Sequence, residues 1–262
     1  MKDDEPSSSS ENRQASQAIA FARLNATRLG SQRRTGRSNA SATGFYLYLF
    51  NFDGVIANTL QHYQNAVHLA ARTAGVKIMD VPLSVLTNAE TLDAHGIADS
   101  LGLAQDVRPR FANLLESNLN NGLWRCACFD GTRQLLNTLS SRGYTAILSR
   151  SKTSMVETIL QNNGLRNSVH RVIGSDQSGT QEEQLEQLLR QYGVKAENSI
   201  YCGDSVRDIN FAHRQGMRSA ACTWGWQPQL VSNCDATFTA HRTGQLLAQL
   251  LAPAGLEPDV AV

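Results

Sequence analysis

Residues 46–60, YLYLFNFDGVIANTL, decide the fold. The stretch begins with an apolar run of the kind that forms a buried strand in a parallel sheet, and Gly54 then permits a tight turn. Asn51 and Asp53 are two positions apart, so on an extended chain their side chains point to the same side. The stretch therefore predicts a strand that delivers polar side chains to one edge of a sheet.

Short apolar runs alternate with helical stretches from residue 45 onward, which indicates a parallel sheet flanked by helices. Three predicted helices stop at a glycine, which adopts the left-handed conformation of a helix end without a Cβ penalty. These helices are 153–163, 181–192 and 206–215. The predicted strands are 45–52, 144–149, 169–173, 199–202 and 218–222, with a weaker one at 236–239. The predicted fold class is α/β with a Rossmann-like parallel sheet.

Residues 60–125 interrupt this alternation. They contain helical patterns at 60–74 and 107–118 and no convincing strand, so they predict a helical insert after the first strand. Ligands in open α/β sheets bind at the carboxyl edge of the strands. We therefore expect this segment, called the cap below, to cover that edge.

The first 44 residues differ in composition from the rest, with a serine run and five arginines between Arg23 and Arg37. Such a segment buries too little apolar area to offset chain entropy, so residues 1–44 are predicted to form a disordered arm. A short amphipathic helix within the arm, docking on a protein partner, is the alternative to a solvated tail. Residues 253–262 show no periodicity and are predicted to be a loose tail.

The overall composition is that of an ordinary globular protein, with a formal net charge of +1 over 262 residues. A near-neutral chain lacks the clustered positive charge that nucleic acids and acidic membranes attract. No apolar run approaches the roughly 20 residues that span a bilayer. Five cysteines without a metal-binding spacing indicate unpaired thiols in a cytoplasmic protein. A leaderless export signal, as on injected bacterial effectors, is the alternative for the polar N terminus.

Polar residues follow two further predicted strands. In AILSRSK, Ser149 ends a strand and is followed by Arg150, and in IYCGDSVRD, Asp204 and Asp208 lie four positions apart at the start of a helix. Taken singly, these residues are ordinary strand-end, turn and helix-capping residues. At successive strand ends of a parallel sheet, they predict one polar site.

These stretches resemble the motifs of the haloacid dehalogenase superfamily of phosphohydrolases. FNFDGVIANT is similar to its first motif, ILS to its second and YCGDSVRDINFAHRQGM to its fourth, and the later TWGWQP is typical of the phosphoglycolate-phosphatase-like branch. The resemblance implies a haloacid-dehalogenase-like core of residues 45–59 and 126–252 with a helical cap of residues 60–125. Trp224 and Trp226 are expected to pack beside the site.

The resemblance also implies a magnesium-dependent phosphoryl transfer. In the family, one aspartate attacks phosphorus, a second aspartate two residues later acts as acid and base, and a hydroxyl and a lysine hold the phosphate. Asp53 matches the acid–base position. The implied phosphate-binding residues are Gly54, Ser149 and Arg150, and the implied metal-binding positions are Asn51, Asp53, Asp204 and Asp208.

Two positions depart from the family pattern. Asn51 stands at the nucleophile position, and a neutral amide is a poor nucleophile and a weaker magnesium ligand than a carboxylate. The third-motif lysine is expected within 174–185, yet no lysine occurs between Lys152 and Lys195. Losing one negative and one positive group leaves the local charge sum unchanged. The sequence therefore predicts a catalytically degenerate protein that binds a phosphorylated small molecule or a partner in a regulatory role.

Alternatives to this interpretation remain. The first is an active magnesium-dependent small-molecule phosphomonoesterase resembling phosphoglycolate phosphatase, in which water attacks directly with Asp53 as base. The second is that Asn51 is a trapping substitution or deamidates to the nucleophile. That second explanation leaves the missing lysine unexplained.

Overall fold

Six parallel strands form the sheet in the computed structural model, which describes residues 47–78 and 81–252. The strands are β1 (Leu47–Phe50), β2 (Tyr144–Leu148), β3 (Arg171–Ile173), β4 (Ser199–Gly203), β5 (Arg218–Cys222) and β6 (Phe238–Ala240). Their order is β3-β2-β1-β4-β5-β6. All six predicted strands are confirmed. The predictions for residues 1–44 and 253–262 lie outside the described residues.

The central strand β1 sets the position of the site. It pairs in parallel with β2 and with β4, and Phe50 lies opposite Ile147 on one side and Cys202 on the other. The carboxyl ends of the three strands therefore meet at one edge of the sheet. Each of these strands is followed directly by a polar residue of the predicted site.

The described helices lie before β2, between the later strands and, for the last one, after β6. Those before β2 are α1 (Leu60–Ala74), α2 (Leu83–Asn88), α3 (Ala94–Ser100), α4 (Arg108–Gly122) and α5 (Thr132–Ser140). The later ones are α6 (Thr153–Asn162), α7 (Gln181–Tyr192), α8 (Val206–Arg214), α9 (Pro228–Val231) and α10 (Thr243–Leu251). The described part of the chain also forms three short 3-10 helices, Leu123–Arg125, Arg166–Ser168 and Ala196–Asn198.

The helix predictions agree with this structure, including their glycine stops. Gly164, Gly193 and Gly216 have φ values of 62°, 62° and 68°, as expected just beyond a helix end. In the cap, α1 has the predicted bounds, and α4 corresponds to the pattern at 107–118. The short helices α2 and α3 were not predicted.

Alternate side chains of β1 enter two separate apolar clusters. Tyr48 and Phe50 pack with the cap and one layer of helices, whereas Leu47 and Leu49 pack with α7 and α8 on the other face. A strand buried on both faces reads as a continuous apolar run, which explains the sequence LYLF. Each of these large side chains contributes about 1.5–3 kcal/mol by its burial.

Membrane spans and cysteine pairing can be examined over the described residues. None of the helices in the described ranges has the length and apolar character needed to cross a bilayer. All five cysteines lie in those ranges as free thiols.

Candidate active site

The turn after β1 packs directly against the loop after β4. Gly54 has a φ of 82°, and a Cβ placed on it would lie 2.1 Å from Asp204 Oδ2. The turn is closed by the Phe52 carbonyl, which accepts hydrogen bonds from the N–H groups of Ile56 and Ala57. Position 54 therefore needs glycine for its conformation and for this close approach.

The Asn51 carboxamide is fully hydrogen-bonded at the centre of the site. Its Nδ2 donates to Asp204 Oδ1 and to the Asp53 carbonyl oxygen, both at 3.0 Å, and its Oδ1 accepts from the Phe52 N–H at 2.8 Å. Reversing the amide would place Oδ1 against two acceptors, so the neighbours fix its orientation. Both N–H bonds of the amide are thus used within the protein.

The Asp53 carboxylate accepts hydrogen bonds from three hydroxyl groups. Oδ1 accepts from Thr59 Oγ1 at 2.8 Å, and Oδ2 accepts from Ser151 Oγ at 2.6 Å and Ser149 Oγ at 3.3 Å. Ser151 Oγ also lies 2.7 Å from the Tyr63 hydroxyl of α1. Burial raises the pKa of Asp53, and the three hydroxyl bonds oppose that effect. The carboxylate is therefore held inside the protein.

Asp204 and Asp208 are buried together at the start of α8. Asp204 Oδ2 accepts from the Trp226 N–H at 2.6 Å. Asp208 Oδ2 accepts from the N–H and hydroxyl of Ser205 at 3.1 and 2.8 Å, which completes a capping box. Burial raises the pKa of both carboxyls, and the charge of Asp208 adds to the effect on Asp204. Asp208 thus caps the N-terminal end of α8.

Arg150 joins the cap to the sheet edge. Its Nη1 donates to the carbonyl oxygens of Ala89, Leu86 and Thr87 at 2.6, 3.1 and 3.4 Å, at the C-terminal end of α2. Arginine there satisfies carbonyl groups that have no partner within the helix. Its charge also lowers the pKa of each of the three site aspartates, although burial outweighs it. We predicted Arg150 to bind phosphate, and the contacts seen are with the cap.

In the described ranges, the lysine nearest in sequence to the site does not replace the one missing from the third motif. Lys152 Nζ lies 2.8 Å from Glu116 Oε1 in an exposed ion pair with the cap. Within 174–185, Asp176 Oδ1 accepts from Thr153, and Thr180 forms the capping box of α7. Among the described residues, Arg150 is the cation whose charge opposes the raised pKa values of the three aspartates.

The predicted residues thus come together, with partners that the sequence did not indicate. All seven predicted site residues lie at the carboxyl edge of the sheet: Asn51, Asp53, Gly54, Ser149, Arg150, Asp204 and Asp208. Thr59 and Ser151, which lie within the quoted motifs, were missed although their hydroxyl groups were a usable signal. Tyr63 gave no signal beyond the buried face of α1. Trp224 and Trp226 pack beside the turn, as predicted, and Trp224 Nε1 donates to the Val55 carbonyl at 3.1 Å.

The side chains present do not fit the magnesium ion that the resemblance implies. Both oxygens of Asp204 accept hydrogen bonds, Oδ2 from the Trp226 N–H and Oδ1 from Asn51 Nδ2. Asn51 thus presents a nitrogen donor to Asp204 where a magnesium site would need an oxygen ligand. Asp208 Oδ2 is used at the start of α8. Among the residues that the structure describes, no three His, Cys, Asp or Glu side chains are grouped to hold a metal.

Comparisons with known proteins agree with the fold. Residues 48–222 match the sequence model of the haloacid dehalogenase-like hydrolases. A phosphoglycolate phosphatase of Synechococcus elongatus is 26% identical over 189 residues, covering 71% of this chain and 88% of the relative. A phosphoglycolate phosphatase of Vibrio cholerae is 25% identical over 221 residues, covering 79% of this chain and 98% of the relative. A solved structure from Haemophilus somnus, described as a predicted phosphoglycolate phosphatase, has a TM-score of 0.71 at 15% identity. The match covers 80% of this chain and 99% of that structure's chain.

Proposed function

The chain belongs to the haloacid dehalogenase-like hydrolase family, and from this we propose that it binds a phosphorylated small molecule without hydrolysing it efficiently. Its role would then be regulatory, exerted through the bound state rather than through turnover. The proposal combines the family fold with the chemistry of one residue at the carboxyl edge of the sheet.

The Asn51 carboxamide carries this proposal. It occupies the nucleophile position of the family, and its Nδ2 donates to Asp204 Oδ1 at 3.0 Å. An amide nitrogen has no available lone pair, and Oδ1 already accepts from the Phe52 N–H. Loss of the covalent nucleophile from an acyl-transfer enzyme costs on the order of 10⁶ in turnover.

The surroundings of the site support a small ligand that enters when the cap moves. Asp53 and Asp204 are only 3% and 2% exposed, and Tyr63 and Arg150 connect the cap to the edge. Ser149 makes the longest of the three hydroxyl bonds to Asp53, at 3.3 Å, so its hydroxyl and the Arg150 guanidinium are donors that could turn toward a phosphate. Because the relatives named above are phosphoglycolate phosphatases, 2-phosphoglycolate is the first ligand to test.

Phosphorus NMR tests binding and hydrolysis in one sample. We expect the 2-phosphoglycolate resonance to broaden when protein is added and the inorganic phosphate resonance to stay absent. The Ser149→Ala variant should reduce the broadening, and the Ser141→Ala variant, which changes an exposed serine on the protein surface, should leave it unchanged. A sharp, unchanged resonance at saturating protein would contradict ligand binding, and growth of inorganic phosphate would contradict the loss of hydrolysis.

An active magnesium-dependent phosphomonoesterase is the second candidate. The retained carboxylates Asp53 and Asp204 at the sheet edge favour it, as does the likeness to phosphoglycolate phosphatases. On this account, phosphate release would depend on magnesium and disappear in the Asp204→Asn variant.

A further inference from the structure

The amide NH₂ group of Asn51 donates to two oxygen atoms, one in each of two loops of the site. Asn51 Nδ2 lies 3.0 Å from the Asp53 carbonyl oxygen and 3.0 Å from Asp204 Oδ1. Backbone carbonyl and carboxylate oxygens are among the ligands that divalent cations take in proteins. We propose that the Asn51 carboxamide takes the place of such a cation and makes the site independent of metal. The inference deepens the proposed function, but it is tested without any phosphorylated ligand, so that the two can fail separately.

Hydrogen bonds from the protein occupy the Asp53 carbonyl oxygen and both oxygens of Asp204. The Asn51 amino group has two N–H bonds, and each is directed to one of the two oxygens. The other Asp204 oxygen accepts the Trp226 N–H at 2.6 Å. Hydrogen bonds to a carboxylate are about twice as strong as those between neutral groups. The amide therefore stabilises the buried acid without adding a formal charge.

Replacing this one nitrogen by oxygen should create a site that needs a metal ion. Aspartate has nearly the same shape as asparagine, so in Asn51→Asp a carboxylate oxygen would stand 3.0 Å from each of the same two oxygens. Neighbouring ligands of an octahedral Mg²⁺ with bonds of about 2.1 Å are also about 3.0 Å apart. The spacing that suits a hydrogen bond in the native chain thus suits a metal in the variant.

Thermal unfolding with Mg²⁺ or with EDTA tests the inference. The native chain should unfold at the same temperature in both. Asn51→Asp should unfold at a lower temperature in EDTA, because three oxygens then repel one another, and Mg²⁺ at 100 times its Kd should raise its Tm by about 5–10 °C. The double variant Asn51→Asp with Asp204→Asn should lose this response, because one of the converging oxygens is replaced.

Titration of the native chain with Mn²⁺, followed by electron paramagnetic resonance, is the second measurement. It does not depend on the folding of any variant with aspartate at position 51. We expect no stoichiometric binding in the native chain. Stoichiometric binding that disappears in Asp204→Asn would overturn the proposal, as would a folded Asn51→Asp variant whose Tm is the same in Mg²⁺ and in EDTA.

Discussion

Asn51 Nδ2 donates a 3.0 Å hydrogen bond to Asp204 Oδ1, joining residues 153 positions apart in the chain. The bond connects the loop after β1 with the loop after β4. A family member with a carboxylate at position 51 would have two acids facing each other here, and this chain has an acid and its donor. The Asn51 amide therefore stabilises the buried Asp204 carboxylate by a hydrogen bond, where a second acid would repel it.

Gly54→Ala should destabilise the protein by about 3 kcal/mol. The left-handed conformation accounts for about 1–2 kcal/mol of that and steric overlap for the remainder. The added Cβ would lie 2.1 Å from Asp204 Oδ2 and 2.8 Å from Trp226 Cδ1. The free energy of unfolding, from urea denaturation, measures the effect.

Gly75→Ala is the matched control for that variant. Gly75 has a φ of 80°, close to the 82° of Gly54, and no atom lies within 4 Å of its Cβ position. It should cost only about 1–2 kcal/mol, the conformational part alone. Equal losses in the two variants would show that the approach to Asp204 is not what requires glycine at position 54.

Arg150→Ala should loosen the cap and reduce stability by about 2–4 kcal/mol. Three carbonyl groups at the end of α2 lose their donor, and the buried acids lose the positive charge beside them. Faster amide hydrogen exchange in α2 should accompany the loss.

Arg190→Ala provides the comparison for this change. Arg190 forms an exposed ion pair with Glu186, in which both side chains are 64% exposed. Such pairs contribute no more than about 0.5 kcal/mol. If Arg150→Ala were equally mild and left exchange in α2 unchanged, Arg150 would not be what holds the cap.

Ser151→Ala should cost about 1–3 kcal/mol, because Asp53 loses a donor and the Tyr63 hydroxyl loses a partner. A double-mutant cycle with Tyr63→Phe should give a coupling energy of about 0.5 kcal/mol or more. Urea denaturation of the four proteins supplies the values. Strictly additive losses would contradict a direct interaction between the two hydroxyl groups.

Stability should fall below neutral pH in part because of His170. Burial lowers its pKa below the ordinary value of 6.5, and the Thr145 N–H donates to its Nδ1 at 3.1 Å. The unfolded chain therefore binds the proton more readily, so this contribution is complete above about pH 6.5 and is lost as the pH falls toward the folded-state pKa.

His170→Asn tests this dependence, since its amide oxygen can accept from Thr145 without titrating. The free energy of unfolding should fall less steeply between about pH 7.5 and pH 5.5 in this variant than in the native chain. His68→Asn, at an exposed position, is the matched control for a histidine-to-asparagine change. Equal slopes for His170→Asn and the native chain would remove His170 as the cause.

The sequence was sufficient for the sheet and for the position of the site. Strand β5 and helix α7 have the predicted bounds, because turn residues and glycines delimit their patterns. Parallel pairing then brings the residues after β1, β2 and β4 together, whatever their chemistry. That is why Asn51 and Asp204 could be placed side by side without a structure.

The contacts of the cap could not be predicted in the same way. Helix α2 has only six residues, too few for a helical period to be recognised. Arg150 contacts Ala89, which lies 61 positions away, and this contact depends on how the cap folds back over the edge. The hydroxyl bonds to Asp53 likewise depend on side-chain directions within two loops. Local patterns carry no information on such distant pairs.

The turnover number of the native chain with a simple phosphate ester and Mg²⁺ tests the central claim most directly. Peptide mapping of the same sample must show asparagine at position 51. A typical enzyme turns over about 10 times per second, and loss of the nucleophile removes several powers of ten, so we expect less than about 10⁻³ s⁻¹. A rate above about 1 s⁻¹ that disappears in Asp204→Asn would contradict the account.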